Sequence, residues 1–229
     1  MASEPDWEHV LASAARLQEL VPDTVLVGGT AAATHARHRA SFDHDHVLTD
    51  LRERFDAVLE GLEATDGWVT VRIRRPVLVP GNLDGVETGI RQLIRRRPLE
   101  VEVHPVGDRT IRVPTLAETA RVKAWLVLRR NASRDYLDVV ALADRLGDEA
   151  PVVALTLDEY YQDQIGPGGM RVATQLAKQL AEPTPYDLDD VDLRHYRKLD
   201  ARWREWEAVV AACRRLADRM LDLLAGTAQ

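Results

Sequence analysis

Two aspartates separated by one residue, Asp43 and Asp45, carry the clearest chemical signal in the sequence. The run from Ser41 to Leu48 is predicted as a β-strand, in which every second side chain projects from the same face. Both carboxylates are therefore expected on one face, with their α-carbons about 6–7 Å apart. Such a pair could share a hard divalent cation, Mg²⁺ or Mn²⁺, which prefers oxygen ligands. The alternative is two solvated aspartates on an exposed sheet face.

A glycine turn precedes this strand along the chain. Residues 24–27 are predicted as a short buried strand, Gly28 and Gly29 permit a tight exit from it, and an alanine-rich helix starts at Thr30. The free N–H groups and the dipole at a helix N-terminus favour phosphate. The turn could therefore hold the phosphates of a nucleoside triphosphate whose metal lies on the aspartates. The alternative is a plain strand-to-helix turn that needs glycine for its backbone angles.

The elements around these residues indicate an α/β (α+β) fold, in which a mixed sheet is flanked by helices and followed by a C-terminal helical region. Amphipathic helices are predicted over 7–20 and around 51–62. Further strands are predicted over 68–74, 89–94, 99–103 and 110–113, with separating turns at Pro80-Gly81-Asn82, Asp84-Gly85 and Gly107-Asp108. We expect a core domain over 1–114 and a helical region over 115–229 that completes the active site.

The charge of the chain is distributed unevenly. The net charge is −7, but the stretch from Arg72 to Arg134 contains 14 Lys and Arg against 6 Asp and Glu. This local charge of +8 could face a polyphosphate or the backbone of a nucleic acid, whereas the acidic remainder could not. The alternative is that the arginine clusters are solvated strand ends and loops.

The composition suits a soluble globular protein, with 45% apolar and 29% charged residues. The single cysteine, Cys213, cannot form an internal disulfide, and the acidic start has no signal-peptide pattern. No apolar stretch approaches the roughly 20 residues that a membrane helix needs. We therefore expect a cytoplasmic protein without a membrane partner.

Two segments resemble a known family. Residues 28–45 resemble the first motif of the AbiEii/AbiGii toxin nucleotidyltransferases, a branch of the polymerase-β-like superfamily. That motif is Gly-Gly-Thr-Ala, a helix, and then Arg-x-Ser-x-Asp-x-Asp, and it is matched without a gap by Gly28-Gly29-Thr30-Ala31 and by Arg39, Ser41, Asp43 and Asp45. Residues 115–138 resemble the paired helices of the family, with its lysine at Lys123 and its Lys/Arg-Asp-aromatic-x-Asp turn at Arg134-Asp135-Tyr136-Leu137-Asp138. Together the matches cover residues 24–146.

The resemblance implies a metal-dependent transfer of a nucleotide from a nucleoside triphosphate to an acceptor hydroxyl. The MenT toxins, which belong to this group, transfer nucleotides from a pyrimidine triphosphate onto tRNA 3′ ends. An RNA acceptor, a toxin–antitoxin or phage-defence context and a cognate antitoxin protein are therefore implied here. The alternatives are transfer to a protein or a small molecule, and a catalytically inactive nucleotide-binding regulatory module.

The resemblance also implies roles for individual residues. Asp43 and Asp45 would hold the metal, and Asp138 would complete the catalytic site. The residues that would bind the nucleotide are Gly28, Gly29, Thr30, Arg39, Ser41, Lys123 and Arg130.

The position of Lys123 supports this assignment independently. Lys123 and Arg130 fall on the apolar stripe of a predicted helix, where an unpaired charge would be costly. A triphosphate could neutralise them. The alternative is an ordinary salt bridge between helices, to Asp138 or Asp135.

A third carboxylate is usual in this superfamily and is expected on a later strand, where it could deprotonate the acceptor hydroxyl. The candidates are Glu100 and Glu102, of which we prefer Glu102. Strand alternation predicts both glutamates and His104 on one face, opposite the two valines of this strand. Neither is needed if the acid pair and Asp138 suffice.

The histidines beside the acid pair could indicate a zinc site. In a strand, however, His44 and His46 point away from the two aspartates, so one four-ligand site cannot use all of them. We therefore predict that they are core histidines.

The C-terminal part has apolar residues at helical spacing from Trp203 to Leu224. This stripe is predicted to pack in the core of the protein. The alternative is a helix that docks an antitoxin.

Overall fold

The computed structural model describes residues 6–165 and 168–226. The chain forms two compact units. The first contains the residues up to Ala31 and Ser41–Thr115, and the second contains Ala32–Ala40 and the residues from Leu116 onward.

The first unit contains both sheets of the described residues. Its helices are α1 (Trp7–Leu20), the first turn of α2 (Gly28–Ala36) and α3 (Phe55–Glu63). Its strands are β1 (Val25–Val27), β2 (Asp43–Leu48), β3 (Trp68–Thr70), β4 (Leu78–Leu83), β5 (Val86–Gln92), β6 (Val101–Val106) and β7 (Arg109–Pro114). The five-stranded sheet has the order β1-β2-β5-β4-β3, and β6 and β7 form a separate antiparallel pair. Only β2 and β5 are parallel neighbours in the larger sheet, so it is mixed, and the predicted fold class is confirmed.

One face of the five-stranded sheet supplies the core of this unit. Alternate residues of the strands, among them Leu48, Val79 and Ile90, are fully or almost fully buried with apolar side chains of α1 and α3. Since side chains alternate along a strand, the intervening residues of β2, β4 and β5 project from the opposite face. Most of these intervening residues are partly or fully exposed.

The prediction of a turn at Pro80-Gly81-Asn82 is wrong, because these residues lie inside β4. The turn lies instead at Asp84-Gly85, where both residues have positive φ, 54° and 84°, as the two-residue turn of a hairpin requires. Gly81 is needed in the strand for packing, because a Cβ there would lie 2.3 Å from Cζ2 of the Trp68 indole.

The second unit is helical. Besides the rest of α2 it contains α4 (Leu116–Arg130), α5 (Ser133–Leu146), α6 (Ala150–Leu155), α7 (Leu157–Tyr160), α8 (Val172–Ala181) and α9 (Trp206–Gly226). Val209, Cys213, Leu216 and Met220 of α9 are buried in its core, so this part of the C-terminal stripe packs inside the unit. Among residues 6–165 and 168–226, the helices are too short or too polar to span a membrane.

Two glycines of paired strands should respond differently to alanine. Gly81→Ala should lower the free energy of unfolding by about 1–3 kcal/mol, since the Trp68 indole occupies the space of the added methyl group. Gly89→Ala, in β5, should leave it unchanged or raise it, because the nearest atoms to its Cβ would be at an ordinary contact distance of 3.6 Å. Urea unfolding of both variants measures this difference, and equal destabilisation would contradict it.

Candidate functional site

The acid pair lies on the face of β2 that is turned away from the core. Asp43 is exposed and Asp45 is partly exposed, whereas the intervening His44 and the following His46 are fully buried. This alternation puts both carboxylates on one face of the sheet, as strand geometry predicts.

Two hydroxyl groups position Asp43. The Ser41 hydroxyl donates a hydrogen bond of 2.8 Å to Oδ1 of Asp43. The hydroxyl of Thr30, which is fully buried, donates to the backbone carbonyl of Asp43. Thr30 therefore ties the first turn of α2 to the start of β2, and Ser41 orients the carboxylate.

Asp45 lies between two glycines. A Cβ on Gly28, at the end of β1, would lie 3.4 Å from Oδ2 of Asp45, and a Cβ on Gly89, directly opposite on β5, would lie 3.6 Å from Oδ1. Gly28 has a φ of 77°, which favours glycine, and it begins α2. The glycine turn is therefore adjacent to the acid pair, and the N-terminus of α2, whose first N–H groups have no acceptor within the helix, begins beside Asp45.

A cation already lies near Asp45. Nε of Arg91, on β5, is 3.7 Å from Oδ1 of Asp45, and the Arg91 side chain is half exposed. Arg91 projects from the same face as Glu87 and Gly89, because these residues alternate with buried ones along β5. An exposed pair of this kind is weak, so the guanidinium can move away when another cation or a phosphate arrives.

The histidines of β2 belong to a buried polar network. His44 is hydrogen-bonded through Nε2 to the Ser13 hydroxyl at 2.9 Å and through Nδ1 to the Thr88 hydroxyl at 2.9 Å. Burial lowers the pKa of His44 to about 4, although Asp43 opposes the shift, and burial also holds the pKa of His46 well below its usual value. The core interpretation of both residues is confirmed by this placement, because neither histidine shares the face of the aspartates.

Glu87 was missed by the sequence analysis. It is exposed and lies directly opposite Asp43 in the parallel register of β2 and β5. The strand predicted from the sequence starts at Gly89 and therefore excludes Glu87. The signal that could have found it is the Asp84-Gly85 hairpin turn, after which a strand must start at once.

Glu102 is not on the five-stranded sheet. It is on β6, in the two-stranded sheet, and accepts a hydrogen bond of 2.6 Å from Nε2 of His104. Val103, which alternates with Glu102 and His104 along this strand, is 60% exposed. Since β6 pairs with β7 and not with the larger sheet, strand register does not bring Glu102 to the acid pair.

The second unit contains a buried ion cluster around Asp138, on α5. The Asp138 carboxylate is fully buried and contacts Nζ of Lys123 at 2.6 Å, Nε of Arg39 at 2.9 Å and Nε2 of His38 at 2.7 Å. Burial alone would raise the pKa of Asp138, but the Arg39 guanidinium and the Lys123 ammonium hold it well below its usual range. The interhelix salt bridge that was the alternative for Lys123 is therefore present, whereas its contact with a triphosphate stays a prediction.

Asp135, also on α5, is a second buried acid in this cluster. Its carboxylate is fully buried, neither oxygen has a hydrogen-bond partner, and Nζ of Lys123 is 3.7 Å from Oδ1. Burial raises the pKa of Asp135, and the charge of Lys123 opposes this shift. Arg130, at the end of α4, is exposed and also acts on Asp135 through its charge.

The family model for the "Nucleotidyl transferase AbiEii toxin, Type IV TA system" matches residues 9–223. This chain belongs to the AbiEii family. A crystal structure described as a candidate nucleotidyltransferase from H. pylori has a TM-score of 0.55 to this chain, with 16% identity over 96% of both chains. At that identity the likeness shows the fold alone, and it is the fold expected for an AbiEii protein.

The relatives of higher identity are much longer proteins, and the match covers only part of each. "Heme uptake protein MmpL11" of Mycobacterium tuberculosis is 32% identical over 240 residues, which cover 95% of this chain and 23% of that protein. "Mycolic acid-containing lipids exporter MmpL11" of Mycolicibacterium smegmatis is 30% identical over 224 residues, covering 96% of this chain and 22% of that protein. The AbiEii chain thus spans less than a quarter of the length of these curated relatives. The transport that their names describe refers to those proteins.

The donor set of the acid pair fits a small hard cation. Among the described residues, no group of three or more His, Cys, Asp and Glu side chains is arranged to hold a metal ion. Mg²⁺ does not require such a cage, because it is usually bound by one or two carboxylates, with substrate phosphates and water as the other ligands. Asp43 and Asp45 supply the carboxylates, and the glycines on either side of Asp45 leave room for the other ligands.

The two acids of α5 should affect stability in opposite directions at neutral pH. Asp138→Asn should lower the free energy of unfolding by about 3–5 kcal/mol, because it removes the buried negative charge that Lys123 contacts at 2.6 Å and Arg39 at 2.9 Å. Asp135→Asn should raise it, because it removes a buried carboxylate that has no hydrogen-bond partner.

The pH dependence of these two effects follows from the directions of the pKa shifts. The stabilisation by Asp138 is present above its unfolded-state pKa, about 3.9, and is lost as the pH falls through its lower folded-state pKa. For Asp135 the folded-state pKa is raised, so its contribution is lost as the pH rises through that value. Urea unfolding from about pH 2 to about pH 8, which extends below the unfolded-state pKa of an aspartate and above it, measures both effects. A stabilising Asp138→Asn would contradict the assignment.

Proposed function

We propose that this AbiEii protein transfers a nucleotidyl group from a nucleoside triphosphate to an acceptor hydroxyl, with RNA, and in particular a tRNA 3′ end, as the acceptor. One observation carries the proposal: the glycine turn that starts α2 lies against the carboxylate of Asp45. A Cβ placed on Gly28 would be 3.4 Å from Oδ2 of Asp45. A phosphate site and an acid pair are thereby adjacent in one unit. Nucleotidyl transfer requires this combination, because the metal must contact the phosphates it neutralises.

The N-terminus of α2 is proposed to bind the triphosphate. Gly28 and Gly29 are partly exposed and precede the first helical turn, where backbone N–H groups have no intrahelical acceptor. Thr30 stabilises this turn, since its buried hydroxyl donates a hydrogen bond to the Asp43 carbonyl. Its direct contact with the nucleotide stays a prediction, as does that of Ser41, whose hydroxyl orients Asp43.

Asp43 and Asp45 are proposed to hold Mg²⁺ or Mn²⁺. When bound, the metal neutralises phosphate oxygens and makes the α-phosphorus more electrophilic. The acceptor oxygen forms a bond to the α-phosphorus, the bond between that phosphorus and the α–β bridging oxygen breaks, and pyrophosphate leaves. We assign the proton of the acceptor hydroxyl to the carboxylate of Glu87, because this residue is exposed and lies directly across from Asp43.

The residues of the second unit keep their predicted roles as proposals. Lys123 and Arg130 are proposed to bind the nucleotide, and Asp138 is proposed to complete the site, on the strength of their match to the family motif. Lys123, Arg39 and Asp138 form one buried ion cluster. Each can therefore act on the nucleotide directly, or by holding the other two in place.

The biological role is proposed from the family. AbiEii proteins are toxins of type IV toxin–antitoxin systems, so growth arrest on expression and neutralisation by an antitoxin protein are proposed for this chain as well. The basic stretch between Arg72 and Arg134 supports an RNA acceptor, since phosphate backbones bind to positive surfaces.

Transfer should depend on Glu87 and not on Glu102. Incubation of the protein with Mg²⁺, each α-labelled triphosphate and total RNA should label RNA, and Asp45→Asn should abolish the label. Glu87→Gln should reduce the rate about a hundred-fold, as expected for the loss of a general base. Glu102→Gln is the matched control and should retain the wild-type rate, because Glu102 lies in the other sheet.

The same assay separates the rival acceptors. Label in a protein band or in a small molecule, with none in RNA, would replace the RNA proposal with one of the alternative acceptors. Labelled triphosphate that binds but releases no pyrophosphate with any acceptor would identify an inactive nucleotide-binding module. Loss of transfer in Glu102→Gln with retention in Glu87→Gln would restore Glu102 as the third carboxylate.

A further inference from the structure

The open face of the five-stranded sheet contains a row of small and apolar residues that leads away from the acid pair. Asp45 of β2 lies opposite Gly89 of β5, and Gly89 lies opposite Pro80 of β4. The carbonyl of Pro80 accepts a hydrogen bond of 3.0 Å from the backbone N–H of Val71, which follows β3. Since neighbouring strands are about 4.8 Å apart, the row from Asp45 to Val71 is about 14 Å long. We name the residues Gly89, Pro80 and Val71 the strip.

The strip ends in apolar side chains that are exposed in the part of the chain that the structure describes. Val71 is 60% exposed, and Val69, two residues earlier, is 62% exposed. Pro80 is partly exposed, and Gly89 is buried among its neighbours. The surface of the strip therefore has no side chain beside Asp45, at Gly89, and exposed apolar side chains farther away, at Val71 and Val69.

Gly89 has no structural reason to be glycine. Its φ is outside the left-handed region, and a Cβ would meet Asp45, Pro80 and Val79 at ordinary contact distances of 3.6–3.7 Å. Glycine inside a strand weakens the strand, and it often marks a place where a ligand approaches the backbone closely. By contrast, Gly81 on the next strand is required by the Trp68 indole. The space above Gly89 thus points to a bound molecule beside Asp45.

The charges on either side of the strip differ in sign. One side is occupied by Glu87 and Asn82, which are paired across β5 and β4. The other side has Arg91 and Arg74, because Arg91 is opposite Leu78 and Leu78 forms a bridge with Arg74. Both arginines are exposed. A molecule on the strip would therefore have anionic groups on the arginine side and its reacting hydroxyl towards the acids.

We propose that the strip binds the terminal nucleoside of the acceptor, the 3′ end of a single-stranded RNA, with the adjoining phosphates on Arg91 and Arg74. This inference rests on the proposed function. A base has apolar faces that can pack against apolar side chains, and guanidinium groups bind phosphates. A protein acceptor would offer no phosphate for the two arginines.

The nucleoside triphosphate occupies the other side of Asp45. Its phosphates are assigned to Gly28 and α2, next to β1, whereas the strip extends over β5, β4 and the segment after β3. In an in-line displacement the attacking and leaving oxygens lie on opposite sides of the phosphorus. An acceptor on the strip meets this requirement, because the acid pair on β2 lies between the two sides.

Equilibrium binding of RNA tests the proposal. The probe is a fluorescein-labelled single-stranded RNA of about 12 nucleotides with a free 3′ hydroxyl, measured by anisotropy. Val71→Glu should weaken RNA binding about ten-fold or more, because it places a like charge on the base-binding surface. Arg74→Gln should weaken binding and reduce the salt slope by about one, as the loss of one phosphate contact does. The affinity for Mg²⁺ and triphosphate, measured by calorimetry, should be unchanged in both variants.

Val103→Glu is the matched control. Val103 is as exposed as Val71, at 60%, but lies on β6 in the other sheet, so the same change of charge should leave RNA binding at the wild-type level. Thermal unfolding of each variant checks that the fold is retained, which the exposure of these side chains favours.

The outcomes separate this inference from the proposed function. The strip proposal is overturned if RNA affinity is unchanged in Val71→Glu and Arg74→Gln, if it falls equally in Val103→Glu, or if triphosphate affinity falls instead. A wild-type protein that binds no triphosphate would overturn the proposed function alone, since the RNA measurements would still decide whether the strip binds a nucleic acid end.

Discussion

The candidate site in the first unit depends on one constraint: strand geometry holds two carboxylates on one face, which places like charges in mutual repulsion. The residues between and after them cannot relieve it, because burial keeps His44 and His46 neutral on the other face. The compensating charge must therefore come from outside the strand. In the structure Arg91 partly supplies it, at 3.7 Å from Asp45, and a metal with its phosphates would supply more. The binding of a metal proposed for the site thus follows from two carboxylates that the fold holds on one exposed face of the sheet.

In the ion cluster of the second unit, the negative charge of a carboxylate is balanced by neighbouring side chains. Asp138 is surrounded by Arg39, Lys123 and His38, so its charge is fully compensated inside the protein. This compensation also explains why residues 32–40 belong with the helical unit. His38 and Arg39 bind Asp138, and the backbone carbonyl of His38 accepts a hydrogen bond of 2.8 Å from Asp200. The acid pair is open to ligands, whereas Asp138 is committed to its partners.

Three glycines in or next to the five-stranded sheet have different surroundings. Gly28 supplies a left-handed backbone at the start of α2, and Gly81 makes room for an indole. Gly89 does neither, although it lies directly beside Asp45. The difference between these positions comes from their neighbours, and residue type alone does not reveal it. This is why the space beside Asp45 emerges only from the strand register.

Local patterns were enough to predict the acid pair, the glycine turn and most of the helices, because strand alternation, helix periodicity and turn chemistry act over a few residues. They were also enough for the resemblance to the AbiEii family, which the family model confirms over residues 9–223. They failed at β4, where Pro80 and Gly81 resemble a turn in sequence but are accommodated in a strand by Trp68 and Val71.

Only the tertiary structure decided which distant residues become neighbours. Glu87 and Glu102 are the clearest case, because both are acids on strands, but only Glu87 is on the five-stranded sheet, directly opposite Asp43. The partners of Lys123 are another, because Asp138 and Arg39 reach it through helix packing that no short pattern specifies. Sequence determined the chemistry that is available at each position, and strand pairing and helix packing determined which of those groups meet, because such contacts join residues far apart along the chain.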